Sequence, residues 1–311
     1  MQYKGGSQGA KLCKQVTNMS QTSEEQWTTV IKPRNKLLEV NLKELWDYRD
    51  LISLFVKRNI ITQYKQTILG PLWFVVQPAL TVIMYMIVFG GIAGIPTDGV
   101  PRPLFYLAGT CMWNYFSECL TKTSNTFVTN AGIFGKVYFP RLVMPIADVL
   151  SNLLRFGIQL GFFALVYIVY TFVDPNCNAH LNWYALLFPV LLAMMAGLSL
   201  GCGTIISSMT TKYRDLQVLF SFLVQLWMYA TPIVYPLSKT KSMFFLGIPV
   251  HKLMCLNPVT PVIETFKHGV LGCGEFVGWR WLIYSFVFMC VLLALGVVIF
   301  NKVQKSFMDT V

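Results

Sequence analysis

Five stretches of this 311-residue chain stay apolar for about the 20 residues a helix needs to cross the ~30 Å hydrocarbon core of a bilayer. They cover 72–92, 142–172, 183–209, 216–236 and 279–300. A sixth stretch, 104–128, has the length but carries Glu118, Lys122 and many hydroxyl groups. Within lipid, backbone N–H and C=O groups must be satisfied inside the segment, so such runs fold as helices. The charge content agrees. Only 13% of residues are charged, about half of the roughly 25% usual in a soluble domain, and the mean hydropathy is +0.54. The expected fold is all-α: a polytopic membrane protein with six transmembrane helices.

The formal net charge of +11 has a membrane explanation. Lys57, Arg58, Lys65, Lys136, Arg141, Lys212, Arg214, Lys302 and Lys305 fall near span ends on one side. Arg102, Lys239, Lys241, Lys252 and Lys267 fall on the other, a division of nine to five. The richer side is expected to be cytoplasmic, which places both termini of this multi-pass membrane protein in the cytoplasm. No pattern of stacked aromatics or zinc fingers accompanies the charge, so nucleic acid is not an expected partner. Residues 1–41 are polar and lack an apolar core, which reads as a cytoplasmic tail and not as a signal peptide. Residues 302–311 form a second, short tail.

Between the first tail and the first span, 42–71 reads as an amphipathic helix and a basic connector. Leu45, Tyr48, Ile52, Phe55 and Val56 share one face; Lys43, Asp47, Asp50, Lys57 and Arg58 share the other, interrupted by Leu54. Such a helix is expected along the bilayer surface, with the apolar face toward acyl chains. Within the membrane domain, 72–301, four charges need partners. Glu118 and Lys122 are four residues apart and share a face, as do Asp148 and Arg155, seven apart. They are expected to face protein or a wet cavity, since an unpaired charge facing lipid costs ~2.5–3.5 kcal/mol. The segment LNPVTPVIETFKHGVL before the last span is too short and Pro-broken to cross, and reads as a re-entrant or interfacial helical hairpin.

Motifs for chemistry are missing from the sequence. In GIFGKV, Gly132, Gly135 and Lys136 approach a phosphate loop, but Asn130 and Val137 stand where Gly and Ser or Thr are needed. Three histidines and eight cysteines show no metal-ligand spacing. Cys255 and Cys273 both fall outside the spans, where a disulfide is open to them. Asp98, Asp174, Glu264 and Glu275 are outward carboxylates that a membrane transferase could use.

Seven short sequences, in order, carry a resemblance: LWDYRDLI; YKQTILGPLW with Gln77-Pro78; LFYLAGTCMWNYF; GIFGKVYFPRLVMP; KYRD; TPIVYP; and LNPVTPVIETFK. From residue 42 onward the chain resembles the membrane-spanning permease subunit of type-2 ABC exporters, in the branch handling polysaccharide, O-antigen and teichoic acid. The polar second span lies outside that pattern. The resemblance implies a homodimer docked on two copies of a separate ABC ATPase, which holds ATP and Mg, with no cofactor on this chain. It implies that Asn130, Gly132, Ile133, Phe134, Gly135 and Lys136 form the ATPase-coupling segment. It also implies that Arg58, Tyr64 and Lys65 meet the pyrophosphate of a lipid-linked polysaccharide, and that 257–266 closes the far side of the channel.

Sugar rings pack their C–H faces on aromatic rings, so a channel for glycans is expected to present a stripe of them. The candidates are Trp73, Tyr85, Phe89, Trp113, Tyr115, Phe116, Trp227, Tyr229 and Tyr235. Two further readings compete: a type-2 ABC permease for a lipid or drug, and a membrane-embedded glycosyl or acyl transferase.

Overall fold

The apolar runs become helices in the computed structural model, which describes residues 42–307 apart from 66, 138, 175–178, 214, 246 and 275. The amphipathic stretch is two helices, α1 (Leu42–Asp47) and α2 (Arg49–Tyr64), offset at Tyr48. A Gly-Pro turn leads into α3 (Trp73–Tyr85), which contains Pro78 and continues to Ile92 as a wider helix. Then follow α4 (Arg102–Ser124), α5 (Thr126–Phe134), α6 (Val143–Val173), α7 (Phe188–Thr210) and α8 (Leu216–Tyr229). A two-residue β-hairpin, Phe244–Phe245 with Ile248–Pro249, precedes α9 (Val250–Leu256) and α10 (Val259–Leu271). The last helix, α11, is Trp279–Phe307.

Among the described residues, four helical segments are long and apolar enough to cross a membrane: Gly70–Ile92, Val143–Val173, Trp183–Thr210 and Trp279–Val303. The chain is thus an all-α membrane protein. α4 has 23 residues and is long enough, but polar. α8 is shorter than its expected span of 216–236. It stops at Tyr229 after 14 residues, about 21 Å at 1.5 Å each, because Pro232 lacks the N–H a further turn requires. The 31 residues of α6 rise about 46 Å, so part of α6 extends beyond a hydrocarbon core, as its sequence length implies.

Small residues set the closest helix approach. A Cβ on Gly201 of α7 would meet the Leu292–Leu293 backbone of α11 at 2.9 Å, and one on Gly203 would meet Thr123 of α4 at 2.6 Å. The Gly- and Ser-rich run therefore lets α7 lie against both neighbours, the usual role of small residues between membrane helices.

Two apolar cores result. The larger joins α4, α6, α7, α10 and α11; the smaller gathers Phe55, Phe127, Phe134, Phe139, Val143 and Phe300. This second core corrects the expectation for α2. Its apolar face packs on the chain itself, with Phe55 buried 5.7 Å from the Phe139 ring, while Trp46, Leu54 and Ile61 are exposed.

Candidate functional site

Among the described residues, one side-chain hydrogen bond links the polar face of α2 to the rest of the chain. Asn59 Nδ2 donates to Asp148 Oδ1 of α6 at 2.8 Å, and this bond holds α2 against the bundle. Arg58, one residue earlier, stands with its guanidinium 4.8 Å from the Phe55 ring and donates to Asn59 Oδ1 at 3.3 Å. Facing it is the break between α4 and α5. Together they enclose a cleft of about 270 Å³ whose lining includes Arg58, Gln63, Thr121, Lys122, Asn125 and Asp148. Asn125 Nδ2 donates to the Thr121 carbonyl at 3.0 Å, while its Oδ1 is buried with no donor.

Lys122 therefore has two settings. Its ammonium borders the cleft, donates to Asn152 Oδ1 at 2.8 Å and lies 3.7 Å from Glu118. Glu118 is in turn bound by Arg155 of α6 at 2.8 Å. Arg155 lies over the Phe74 ring at 4.9 Å and reaches Gln77 of α3 at 3.4 Å. The expected i,i+4 pair thus forms, and Arg155 joins it across helices; Asp148 is taken by Asn59 instead. Sequence spacing displays pairs along one helix, not this network linking α3, α4 and α6.

Of the residues expected at a lipid pyrophosphate whose side chains are described, Arg58 lines the cleft. Lys65 is exposed just past α2 and does not border it, and the Tyr64 side chain lies outside the described residues. The segment expected to couple to an ATPase, Asn130 to Lys136, is the end of α5 and the turn after it. Asn130 and Phe134 point into the chain, whereas Gly132, Gly135 and Lys136 are exposed and Ile133 is half-buried. An outside partner would therefore touch 132, 133, 135 and 136.

The aromatic stripe needs correction. Trp113, Tyr115 and Phe116 are 4%, 3% and 0% exposed, packed in the larger core because α4 is surrounded by its neighbours. They cannot line a channel in this conformation. Trp73 and Tyr229 are exposed, and Tyr85, Phe89, Trp227 and Tyr235 are half-buried.

Opposite this end, α9 and α10 meet at Asn257-Pro258. Asn257 Oδ1 accepts from Trp227 Nε1 at 3.0 Å, and its Nδ2 donates to Thr231 Oγ1 at 2.9 Å, tying the break to the end of α8. Glu264 and Lys267 form a buried ion pair, and Lys267 also donates to the Pro232 carbonyl at 2.8 Å. Lys267 is thus no loop charge; Arg141 on the other side is buried as well, so the division of basic residues becomes eight to four. Cys255 and Cys273 are buried free thiols, so the open disulfide is not formed. Burial pushes their thiols up to about 11 and about 12, which keeps them protonated and weak as nucleophiles or metal ligands.

A family model described as ABC-2 type transporter matches residues 50–271, which takes in nearly all of α2, the cleft, the turn after α5, and α9 and α10. The chain belongs to that family. Among relatives of this ABC-2 transporter chain, the O-antigen export system permease protein RfbA of Myxococcus xanthus is 26% identical over 73% of this chain and 82% of its own length. A protein of the same name from Klebsiella pneumoniae is 25% identical over 84% and 94%. The polysialic acid transport protein KpsM of Escherichia coli is 22% identical over 83% and 95%. As a member of the ABC-2 family the chain is a transport subunit, and the ATPase of such a system is a separate partner.

Proposed function

We propose that two copies of this chain form the membrane channel of an ATP-driven exporter for a lipid-linked polysaccharide of the O-antigen kind. Two copies of an ABC ATPase dock on the turn at Gly132, Ile133, Gly135 and Lys136 and supply the energy. The observation that carries this reading is the family match over 50–271 together with relatives named for O-antigen export. Six crossings follow if α4 and α8 join the four long apolar segments. α4 can cross because Glu118 and Lys122 are partnered within the chain; α8 reaches a full span only with 230–236. An even number of crossings and the basic bias put both termini in the cytoplasm. The cleft then opens at the cytoplasmic headgroup level, and the α9–α10 hairpin closes the far side as a re-entrant device.

A transferase would need a free outward carboxylate. Glu264 is locked to Lys267, Asp98 accepts from Ser238 at 2.9 Å and Asp174 is also engaged by a neighbour; Glu275 lies outside the described residues. The decisive test is depletion of this chain in its host. Lipid-linked polysaccharide should accumulate inside the cell and disappear from the surface; unchanged surface polysaccharide contradicts the proposal.

A further inference from the structure

We propose that Trp73, Gln77 and Glu118 form a sugar-binding station on a wet path inside the membrane domain, with Arg155 as the residue that positions it. The inference rests on the export reading and deepens it by naming what meets the sugar rings of the glycan.

The station lies where α3, α4 and α6 pack together. Arg155 Nη1 is 2.8 Å from Glu118 Oε1, and Nη2 of the same guanidinium donates to Gln77 Oε1 at 3.4 Å. Lys122 also approaches Glu118 Oε1, at 3.7 Å. The group is not sealed, since the Glu118 side chain is 32% exposed and Gln77 is exposed. Glu118 stands six residues before the end of α4, about 9 Å along the helix. Ionisable groups inside a span face the bundle interior or a water-filled cavity, because hydrocarbon penalises them. An open carboxylate at this depth therefore borders water.

The valences left over fit a sugar. A carboxylate offers about four lone-pair sites, and Arg155 and Lys122 occupy only part of Glu118. A guanidinium has donors alone, so it fixes which end of the Gln77 amide faces it. Both Nε2 hydrogens of Gln77 then lack a partner among the described residues. One guanidinium thus holds an acceptor and a donor side by side, the pair that neighbouring hydroxyls of a sugar ring can bridge. Trp73 is one turn before Gln77 on α3 and 47% exposed, so an indole is at hand for the ring C–H face. A phosphate has no proton to give Glu118 at neutral pH and is repelled by it, so the station selects the glycan and not the anionic head.

The test uses the complex of this chain with its ABC ATPase in proteoliposomes bearing a lipid-linked polysaccharide. Gln77→Cys should react with a membrane-impermeant thiosulfonate above the level of the parent chain. The lipid-linked polysaccharide should slow that reaction, and bare polyprenyl diphosphate should leave it unchanged. Gln77→Leu and Trp73→Ala should each raise the polysaccharide concentration for half-maximal transport about tenfold, and Trp73→Tyr should restore it. Trp73 and Gln77 are exposed, so these replacements spare the core. Arg155→Lys keeps a charge beside Glu118 but loses the fork that reaches Gln77, and should raise half-saturation with the maximal rate retained. Reaction of Gln77→Cys with a lipid-soluble maleimide alone places that position against lipid and overturns the station. Wild-type half-saturation in both Gln77→Leu and Trp73→Ala overturns it as well. Equal protection by bare polyprenyl diphosphate overturns the sugar assignment. Each of these outcomes leaves transport by the parent chain standing, whereas its absence contradicts the export reading itself.

Discussion

Lys267 is 1% exposed, and its ammonium is held by Glu264, by the Pro232 carbonyl and by the Phe105 ring 4.3 Å away. A buried pair of this kind is costly to break from one side, because the remaining charge loses its partner. Lys267→Met should therefore lower stability by about 3–5 kcal/mol, while the Lys267→Met/Glu264→Gln double variant should recover most of it. Thermal unfolding of the purified protein in detergent checks this; equal losses in the single and double variants would contradict it. The thiols give a second residue-scale expectation. Cys255 and Cys273, with pKa values near 11 and 12, should resist a maleimide at pH 8 in the folded protein and label after denaturation. Fast labelling of the native chain would show that the hairpin is open in solution. Sequence spacing exposed the Glu118–Lys122 pair but not the burial of Lys267. A Lys in a short polar-flanked segment reads as a surface charge until tertiary structure closes over it.

At the scale of elements, the packing of α7 depends on positions where no side chain fits. Gly201→Leu would drive a side chain into the α11 backbone 2.9 Å away, with an expected loss of about 1–3 kcal/mol. Gly132→Ala, in helical backbone with nothing within 4 Å, should keep stability or raise it by up to about 1 kcal/mol, and the same melting measurement compares the two. The turn proposed to dock the ATPase is tested separately. Ile133→Asp with Lys136→Glu should abolish co-purification of the ATPase while leaving the chain's melting temperature intact; retained co-purification would move the docking surface elsewhere. Helix positions were largely legible because hydropathy and length govern them. Their ends were less so: α8 stops short at Tyr229, and the amphipathic stretch divides at Tyr48. The apolar face of α2 was legible as a face, but not its partner. Phe139 and Phe300 reach it from far along the chain, a contact that periodicity cannot display.

Across the whole molecule, α4 joins two polar ends. Phe105 touches Lys267 near one end and Lys122 borders the cleft near the other, 17 residues and about 25 Å apart along the helix. That separation approaches the thickness of a hydrocarbon core, so α4 is long enough to join two membrane faces. The family explains why no nucleotide motif is present: hydrolysis belongs to the partner. The aromatic stripe was overestimated in α4 because Trp, Tyr and Phe serve packing as readily as they serve sugars, and only burial separates the uses. The most direct test reconstitutes this chain with its ABC ATPase in proteoliposomes bearing a lipid-linked polysaccharide on the ATPase side. The account predicts that the polysaccharide moves to the opposite leaflet only when ATP is hydrolysed, and that the chain alone hydrolyses none. Hydrolysis by the isolated chain, or no movement while the assembled complex turns over ATP, would contradict it.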